Sequence, residues 1–457
     1  TRDQNFQQNQ KILKIILKKV KKINFLGISI DSRTLKKNNI FLTIKGKNKN
    51  GAKFISKAMK KGAKSIVTSK KIKKFTNKII KVKDEFKFLN NFASKKREKT
   101  KAKILAVTGS AGKTSLKNLI KNLLKNFGKT FCSPKSFNNQ FGVPLSLSQL
   151  ETQHEFAVFE IGMSESGEIN KLSKLVKPHL GVITNIGEAH IENFKNLKGI
   201  AAAKGEIINN IQKNGVIILN RDDKFFKYLE IKSKKKGLKI ISFGKSKKSD
   251  VYPLKIIENK NNTSLIVKIF DKKLKLKFKS LNLYNILAAL ACLKALNLNF
   301  NNIIKHFKTY VPTEGRGKIH NVKRYNKSFK LIDESYNANP LSVKNAIKNF
   351  NSLKKTNFKK YLLLGDMLEL GRKSEILHKG LSKVINNSDI DKVFVKGDKS
   401  LVTYKNIHKN KRGNIFQHQE DVDFILNNII SNNDHLMIKG SNATGLNNLS
   451  KRIIKGF

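Results

Sequence analysis

Ile104-Leu105-Ala106-Val107-Thr108-Gly109-Ser110-Ala111-Gly112-Lys113-Thr114 is the stretch on which the fold turns. An apolar run leads into a glycine loop. The loop leads into a segment with Leu116, Leu119, Ile120, Leu123, Leu124 and Phe127 on one helical face. Gly128 is placed to close that helix. In this order of strand, glycine turn and helix, backbone N–H groups converge on an anion at a helix N-terminus. Lys113 would then reach the outer phosphates of a nucleotide such as ATP, and the Thr114 hydroxyl would serve Mg²⁺. The usual pattern carries Gly where Val107 stands, so this is a shortened loop of the G-x-x-G-K-T type.

Further strand candidates lie on both sides of the loop. Phe156–Ile161, Val182–Ile186, Val216–Leu219 and Ile240–Phe243 alternate with helical segments, which implies crossover connections and a parallel sheet. Ser264–Phe278 alternates apolar residues with Lys around Asp271-Lys272, the pattern of an appended hairpin. Upstream, Ile28–Ile30 and Ile40–Ile44 read as short strands and Phe54–Gly62 as a helix. The charged tract Ser94–Lys103 reads as a linker or an exposed helix end. Downstream, a basic hinge, Glu314-Gly315-Arg316-Gly317, precedes a second strand–helix series at Leu331–Ile332, Leu362–Leu364, Val393–Val395 and Leu436–Ile438. The expectation is an α/β chain of three domains: a small N-terminal domain (1–100), a central P-loop domain built on a parallel sheet (101–315) and a C-terminal Rossmann-like domain (316–457).

At 457 residues the chain exceeds a single ordinary core. The net charge of +62 suggests nucleic acid at first sight, and a nucleic-acid-binding P-loop protein is one rival reading. However, only nine of the 94 basic residues are Arg, and Lys is spread along the whole chain rather than clustered. Base and phosphate readout leans on Arg forks and stacking platforms. The charge therefore reads as a solvated basic surface, and no nucleic-acid partner is expected. Cys132 and Cys292 have neither metal spacing nor a disulfide framework, which fits a reducing cytoplasm. No apolar run approaches the ~20 residues of a membrane span. The chain opens at Thr1, and its first ten residues are polar, unlike a signal peptide.

Three residues follow strands of the central sheet: Glu160, His190 and Lys204. Ligands of open parallel sheets bind beyond the carboxyl ends of the strands, where a carboxylate and an imidazole could hold Mg²⁺. Taken singly, each is equally an ordinary polar group of a loop or core.

Several further blocks carry a family resemblance. They are Asp31-Ser32-Arg33-Thr34, Thr108–Thr114, Ser136-Phe137-Asn138-Asn139-Gln140-Phe141-Gly142, Glu160-Ile161-Gly162-Met163, Thr184–His190 and Ala203–Ile207. Toward the C-terminus come Asp333-Glu334-Ser335-Tyr336-Asn337-Ala338-Asn339-Pro340 and Leu364-Gly365-Asp366-Met367-Leu368-Glu369-Leu370-Gly371. In this order they resemble the Mur ligases of peptidoglycan synthesis, within them the branch that adds D-alanyl-D-alanine to a UDP-N-acetylmuramoyl-tripeptide. Another muramyl amino-acid ligase, or a folylpolyglutamate-type ligase, is the rival that keeps the chemistry and changes the substrate.

The resemblance implies an ATP-dependent, cytoplasmic, monomeric ligase working through an acyl phosphate, with those two molecules as substrates. It implies an ATP cradle of Thr108, Gly109, Ser110, Ala111, Gly112, Lys113, Thr114 and Ser115, with Asn282 at the adenine, Arg316 at a phosphate and Asp333 or Glu334 at the ribose. Two Mg²⁺ ions are implied, held by Thr114 and Glu160 and by His190 and a carbamylated Lys204. Lys113, His190 and Lys204 are the implied catalytic groups, and Ser32, Arg33, Asn138 and Asn139 the substrate contacts. The chain departs from the family pattern at Leu281, Glu334 and Asn442, where His, Asp and Arg are usual.

Overall fold

The computed structural model describes residues 27–46, 50–258, 262–279, 281–353, 355, 357–417 and 420–456; the polar opening segment lies outside the described residues. Three sheets organise the chain. The first has four parallel strands in chain order, Gly27–Ser29, Asn39–Leu42, Ser65–Thr68 and Ile79–Lys81. It is followed by the helix Glu85–Lys99, started by the Asp84 carboxylate accepting from the Lys87 N–H at 2.9 Å.

Of the charged tract 94–103, expected as a linker or an exposed helix end, residues 94–99 are the C-terminal end of Glu85–Lys99. Its exposure is uneven, because Arg97 is buried. Its Nε donates to the Val176 carbonyl and its Nη2 to the Lys177 carbonyl, both at 2.6 Å. The guanidinium fork finishes the C-terminal carbonyls of the helix Glu168–Val176. A run of like charges gives no sign of such a through-space partner.

The central sheet has nine strands in the order Lys272–Phe278, Thr263–Ile269, Val251–Glu258, Lys239–Phe243, Val216–Asn220, Leu180–Ile183, Lys103–Thr108, Phe156–Glu160 and Thr130–Cys132. All pairs are parallel except those made by the expected hairpin, Thr263–Ile269 with Lys272–Phe278, which joins through Val251–Glu258. The middle strands are continuous apolar runs because helices cover both faces. On one side lie Lys113–Leu124 and Leu283–Ala295, in one core with Leu116, Leu119, Ile120 and Leu123. On the other lie Glu168–Val176 and Leu197–Lys204, through Ile169, Leu172 and Ile200. The helix after the glycine loop ends at Leu124, short of Gly128, which follows in a turn and donates its N–H to the Leu124 carbonyl at 3.3 Å.

The third sheet runs Lys318–Arg324, Lys327–Glu334, His435–Lys439, Lys360–Gly365, Lys392–Lys396, Arg412–Phe416 and is parallel apart from its first strand. Its helix Pro340–Asn351 begins with a capping box, Asn339 with Ser342, and with Pro340 in the first turn. At the hinge, Gly315 has φ +72° and donates its N–H to Asp333 Oδ2 at 2.6 Å; an added Cβ would lie 2.8 Å from Tyr336 Cβ. Among the described residues no helix is long and apolar enough to cross a membrane, and both cysteines are free.

Candidate active site

The glycine loop is held from behind by the segment after the strand Leu180–Ile183. Thr184 Oγ1 donates to the Ala111 carbonyl at 2.7 Å, Asn185 Oδ1 accepts from the Ala111 N–H at 2.8 Å, and Ser110 Oγ donates to the Gly187 carbonyl at 2.9 Å. Gly109 has φ +142°, and a Cβ there would sit 1.9 Å from Thr184 Oγ1, so the loop can only pass this close without a side chain. The helix begins at Lys113, and its first-turn N–H groups have no intrahelical acceptor.

Lys113 Nζ bends back to the Gly109 carbonyl at 2.6 Å; desolvation lowers its pKa, with Glu160 acting in the opposite sense. The Thr114 hydroxyl donates to Glu160 Oε2 at 2.6 Å, and Asn138 Nδ2 donates to Glu160 Oε1 at 2.7 Å. Behind the same carboxylate lies a cation that sequence reasoning missed. Lys117, fully buried, stands 3.7 Å from Glu160 Oε2 and donates to the carbonyls of Ser133 at 2.7 Å and Lys135 at 2.5 Å. Nothing in the helical pattern marked it, because it lies on a leucine-lined face.

These groups open onto a cavity of about 1440 Å³ between the central and C-terminal domains. Arg316 reaches into it from the hinge, stacked 4.0 Å over the Tyr336 ring, with Nη2 donating to Ser136 Oγ at 3.0 Å. From the C-terminal domain, Asn339 Nδ2 donates to the Ser110 carbonyl of the glycine loop at 3.1 Å. His190 Nδ1 lies 2.8 Å from Glu369 Oε2. Asn282 caps the helix Leu283–Ala295 and lines the cavity. Its neighbour Asn285, also missed, packs against Gly112; the Asn282/Asn285 spacing at a helix start was the available signal.

The cavity sorts the expected carboxylates and the first-domain residues. Asp333 and Glu334 are successive residues of one strand and point to opposite sides. Glu334 lines the cavity, whereas the buried Asp333 accepts from the Gly315 N–H and from Ser335 Oγ at 2.5 Å. Of the two residues expected at the ribose, Glu334 is the one at the cavity wall, and Asp333 braces the hinge. Ser32 and Arg33 are not among the cavity walls: Ser32 is buried in the first domain, and the exposed Arg33 pairs with Asp31 at 2.7 Å. Asn139 does line the cavity, and its Oδ1 also accepts from the Gly142 N–H at 2.9 Å. Thr108 is buried under the loop, and Ser115 stands at the cavity wall.

Thr114 and Glu160 are hard oxygen donors that already converge, and Mg²⁺ needs only one or two protein oxygens beside phosphates and waters, so the pair fits that ion. Among the described residues no cluster of three His, Cys, Asp or Glu forms an all-protein cage. Lys204 lies buried; desolvation, then the charge of Lys113, pushes its pKa well down. An ammonium there does not fit a metal; an oxygen-bearing adduct would.

Comparisons with known proteins agree with this architecture. The "Mur ligase family, catalytic domain" description matches residues 24–97, "Mur ligase middle domain" 107–293 and "Mur ligase, glutamate ligase domain" 317–442. The chain belongs to the Mur ligase family. Among its relatives, the UDP-N-acetylmuramoyl-tripeptide–D-alanyl-D-alanine ligase of Rickettsia prowazekii is 31% identical over 432 residues, 93% of this chain and 95% of that protein. The crystal structure of MurF from Acinetobacter baumannii superposes with a TM-score of 0.81 at 26% identity, covering 94% of this chain and 93% of the other. MurF ligase from Thermotoga maritima in complex with ADP gives 0.79 at 25% identity, covering 94% and 98%.

Proposed function

We propose that this chain is an ATP-dependent ligase that adds D-alanyl-D-alanine to UDP-N-acetylmuramoyl-tripeptide, forming the pentapeptide precursor of peptidoglycan, ADP and phosphate. The observation that carries the reading is the cavity in which the glycine loop, Glu160 and Asn138 meet the Asn337–Asn339 and Leu368–Glu369 blocks of the C-terminal domain. The name shared by the relatives supports the choice of substrates. Boundaries near residues 100 and 315, a cytoplasmic location and a monomer belong to the same proposal.

A carboxylate is a poor electrophile, so the tripeptide carboxylate first attacks the γ-phosphate of ATP, giving an acyl phosphate and ADP. The amine of D-alanyl-D-alanine then attacks the acyl carbon, and phosphate leaves from a tetrahedral intermediate. The work left to the protein is alignment and charge neutralisation. Lys113 leaves the Gly109 carbonyl to meet the outer phosphates, and the free N–H groups at the helix start hold the phosphate chain. Arg316, braced on Tyr336, contributes a second cation, and Asn282 and Glu334 contact the nucleoside. Asn138 and Asn139 orient the peptide end. Mg²⁺ at Thr114 and Glu160, with a second ion at His190 and Lys204 as its carbamate, would neutralise charge on the phosphates. Such a carbamate would form if the Lys204 amine added to CO₂ and lost a proton, a route favoured by burial, which disfavours the ammonium. Docking of the C-terminal domain excludes water from the acyl phosphate.

The test is product mass after incubation with ATP, Mg²⁺ and UDP-N-acetylmuramoyl-tripeptide, with D-alanyl-D-alanine or single amino acids as acceptor. A pentapeptide product made only with the dipeptide supports the reading; addition of a single amino acid or glutamate instead overturns it.

A further inference from the structure

His190 and Glu369 meet across the interface of the central and C-terminal domains, and each is held in an uncommon backbone conformation. His190 has φ +57° and Glu369 φ +63°, the left-handed region that non-glycine residues seldom occupy. Their segments are docked by further contacts: the Glu192 N–H donates to the Glu369 carbonyl at 3.4 Å, and Lys373 Nζ donates to the Lys195 carbonyl at 3.4 Å. Both side chains line the large cavity. At 2.8 Å from a carboxylate oxygen, Nδ1 must carry the proton, because an ionised carboxylate can only accept. In the neutral ring that leaves Nε2 as the available lone pair.

We infer that Glu369, carried by the C-terminal domain, is a positioning residue that fixes the proton of His190 on Nδ1 and frees Nε2 to act in the cavity, and that it does so only while the two domains are docked. The inference rests on the ligase reading above and deepens it by making one of its functional groups conditional on closure. Imidazole ligands are commonly oriented by a carboxylate on the opposite ring nitrogen. Here that carboxylate comes from another domain, so a competent imidazole and a closed site arise together. The side chains are 26% and 50% exposed, so the pair adds little to folding and its removal should leave the protein folded.

The test uses the full chain as E369A and E369Q. E369A should lower kcat by roughly 10–100-fold, the usual cost of losing such a partner, with the KM for ATP unchanged. E369Q, whose amide oxygen still accepts from Nδ1, should recover most of the loss. Independently of turnover, ¹⁵N spectra of histidine-labelled protein, with the His190 signal identified by H190Q, should show the Nδ1–H tautomer in the native chain and its loss in E369A. An unchanged kcat in E369A, no recovery in E369Q, or an unchanged His190 tautomer would each overturn the inference. Absence of ligase activity in the native chain would instead overturn the functional reading, and the tautomer measurement would still decide this one.

Discussion

The Thr114 hydroxyl donates a 2.6 Å hydrogen bond to Glu160 Oε2, joining the start of the phosphate-loop helix to the end of the neighbouring strand. The sheet register makes this possible: Val107 pairs with Glu160, so the chain leaving one strand arrives beside the carboxylate ending the next. Two elements distant in sequence thereby present one pair of hard oxygens beside the loop that receives phosphates.

Lys113 is the ammonium nearest the expected phosphates and spends its one hydrogen bond on its own loop. Lys113→Ala should reduce kcat/KM by at least about 10²-fold, the scale of losing one transition-state charge contact. Loss of that bond costs the fold only about 1 kcal/mol. Steady-state kinetics beside a thermal melt will check both; near-native turnover would remove Lys113 from the mechanism.

Gly109→Ala should abolish nucleotide binding and lower the melting temperature. The new methyl would meet Thr184 Oγ1 at 1.9 Å, and φ +142° is strained for alanine. Calorimetric titration with MgADP reads the first effect; binding at native affinity contradicts the loop geometry.

Lys204→Ala should be inactive and regain part of its activity when small carboxylates are added, because they can replace the oxygens of a carbamate. The native protein in ¹³C-bicarbonate should show a carbamate carbon that the variant lacks. Spectra without that signal, together with no rescue, would remove the adduct.

Arg97→Ala should destabilise the protein by about 1–3 kcal/mol, since it strands the buried Val176 carbonyl and removes one of the two donors to the Lys177 carbonyl, which keeps Gln212 Nε2 at 3.0 Å. Denaturant unfolding measures this, and a change under 0.5 kcal/mol, the ordinary range of surface substitutions, would contradict a structural role for Arg97.

Acid should weaken the fold between about pH 6.5 and pH 4. Burial, then the charges of Arg97 and Lys103, pushes His179 down to about 4; burial, then Lys330 and Lys360, does the same to His435. The unfolded chain takes these protons near 6.5. Between the two values the unfolded state binds more protons, so stability is full above 6.5 and falls as pH drops towards 4. Denaturation midpoints at pH 7.5 and 5 should differ in that sense; His179→Gln should reduce the difference.

The central fold was legible because its signals are local. The apolar run 104–107, the glycine turn and the leucine face follow within one strand and one helix, and the Ser264–Phe278 alternation marked its hairpin. Glu160 and His190 were found by position, as polar residues after strands. Lys117, Asn285 and Glu369 were given no role at that stage, because their roles depend on which distant element comes alongside. Asp333 and Glu334 stayed alternatives because two adjacent carboxylates look alike until strand alternation turns one to the cavity and the other to the hinge. The blocks around Asn337 and Glu369 marked the C-terminal half through resemblance, since its short apolar strands alone did not identify which side chains would face the loop.

The most direct measurement is the rate of ADP release with MgATP while each substrate is omitted in turn. The account predicts rapid release with UDP-N-acetylmuramoyl-tripeptide and D-alanyl-D-alanine together, with a large drop when either is left out. Release independent of the tripeptide, or none with all three substrates present, would contradict it.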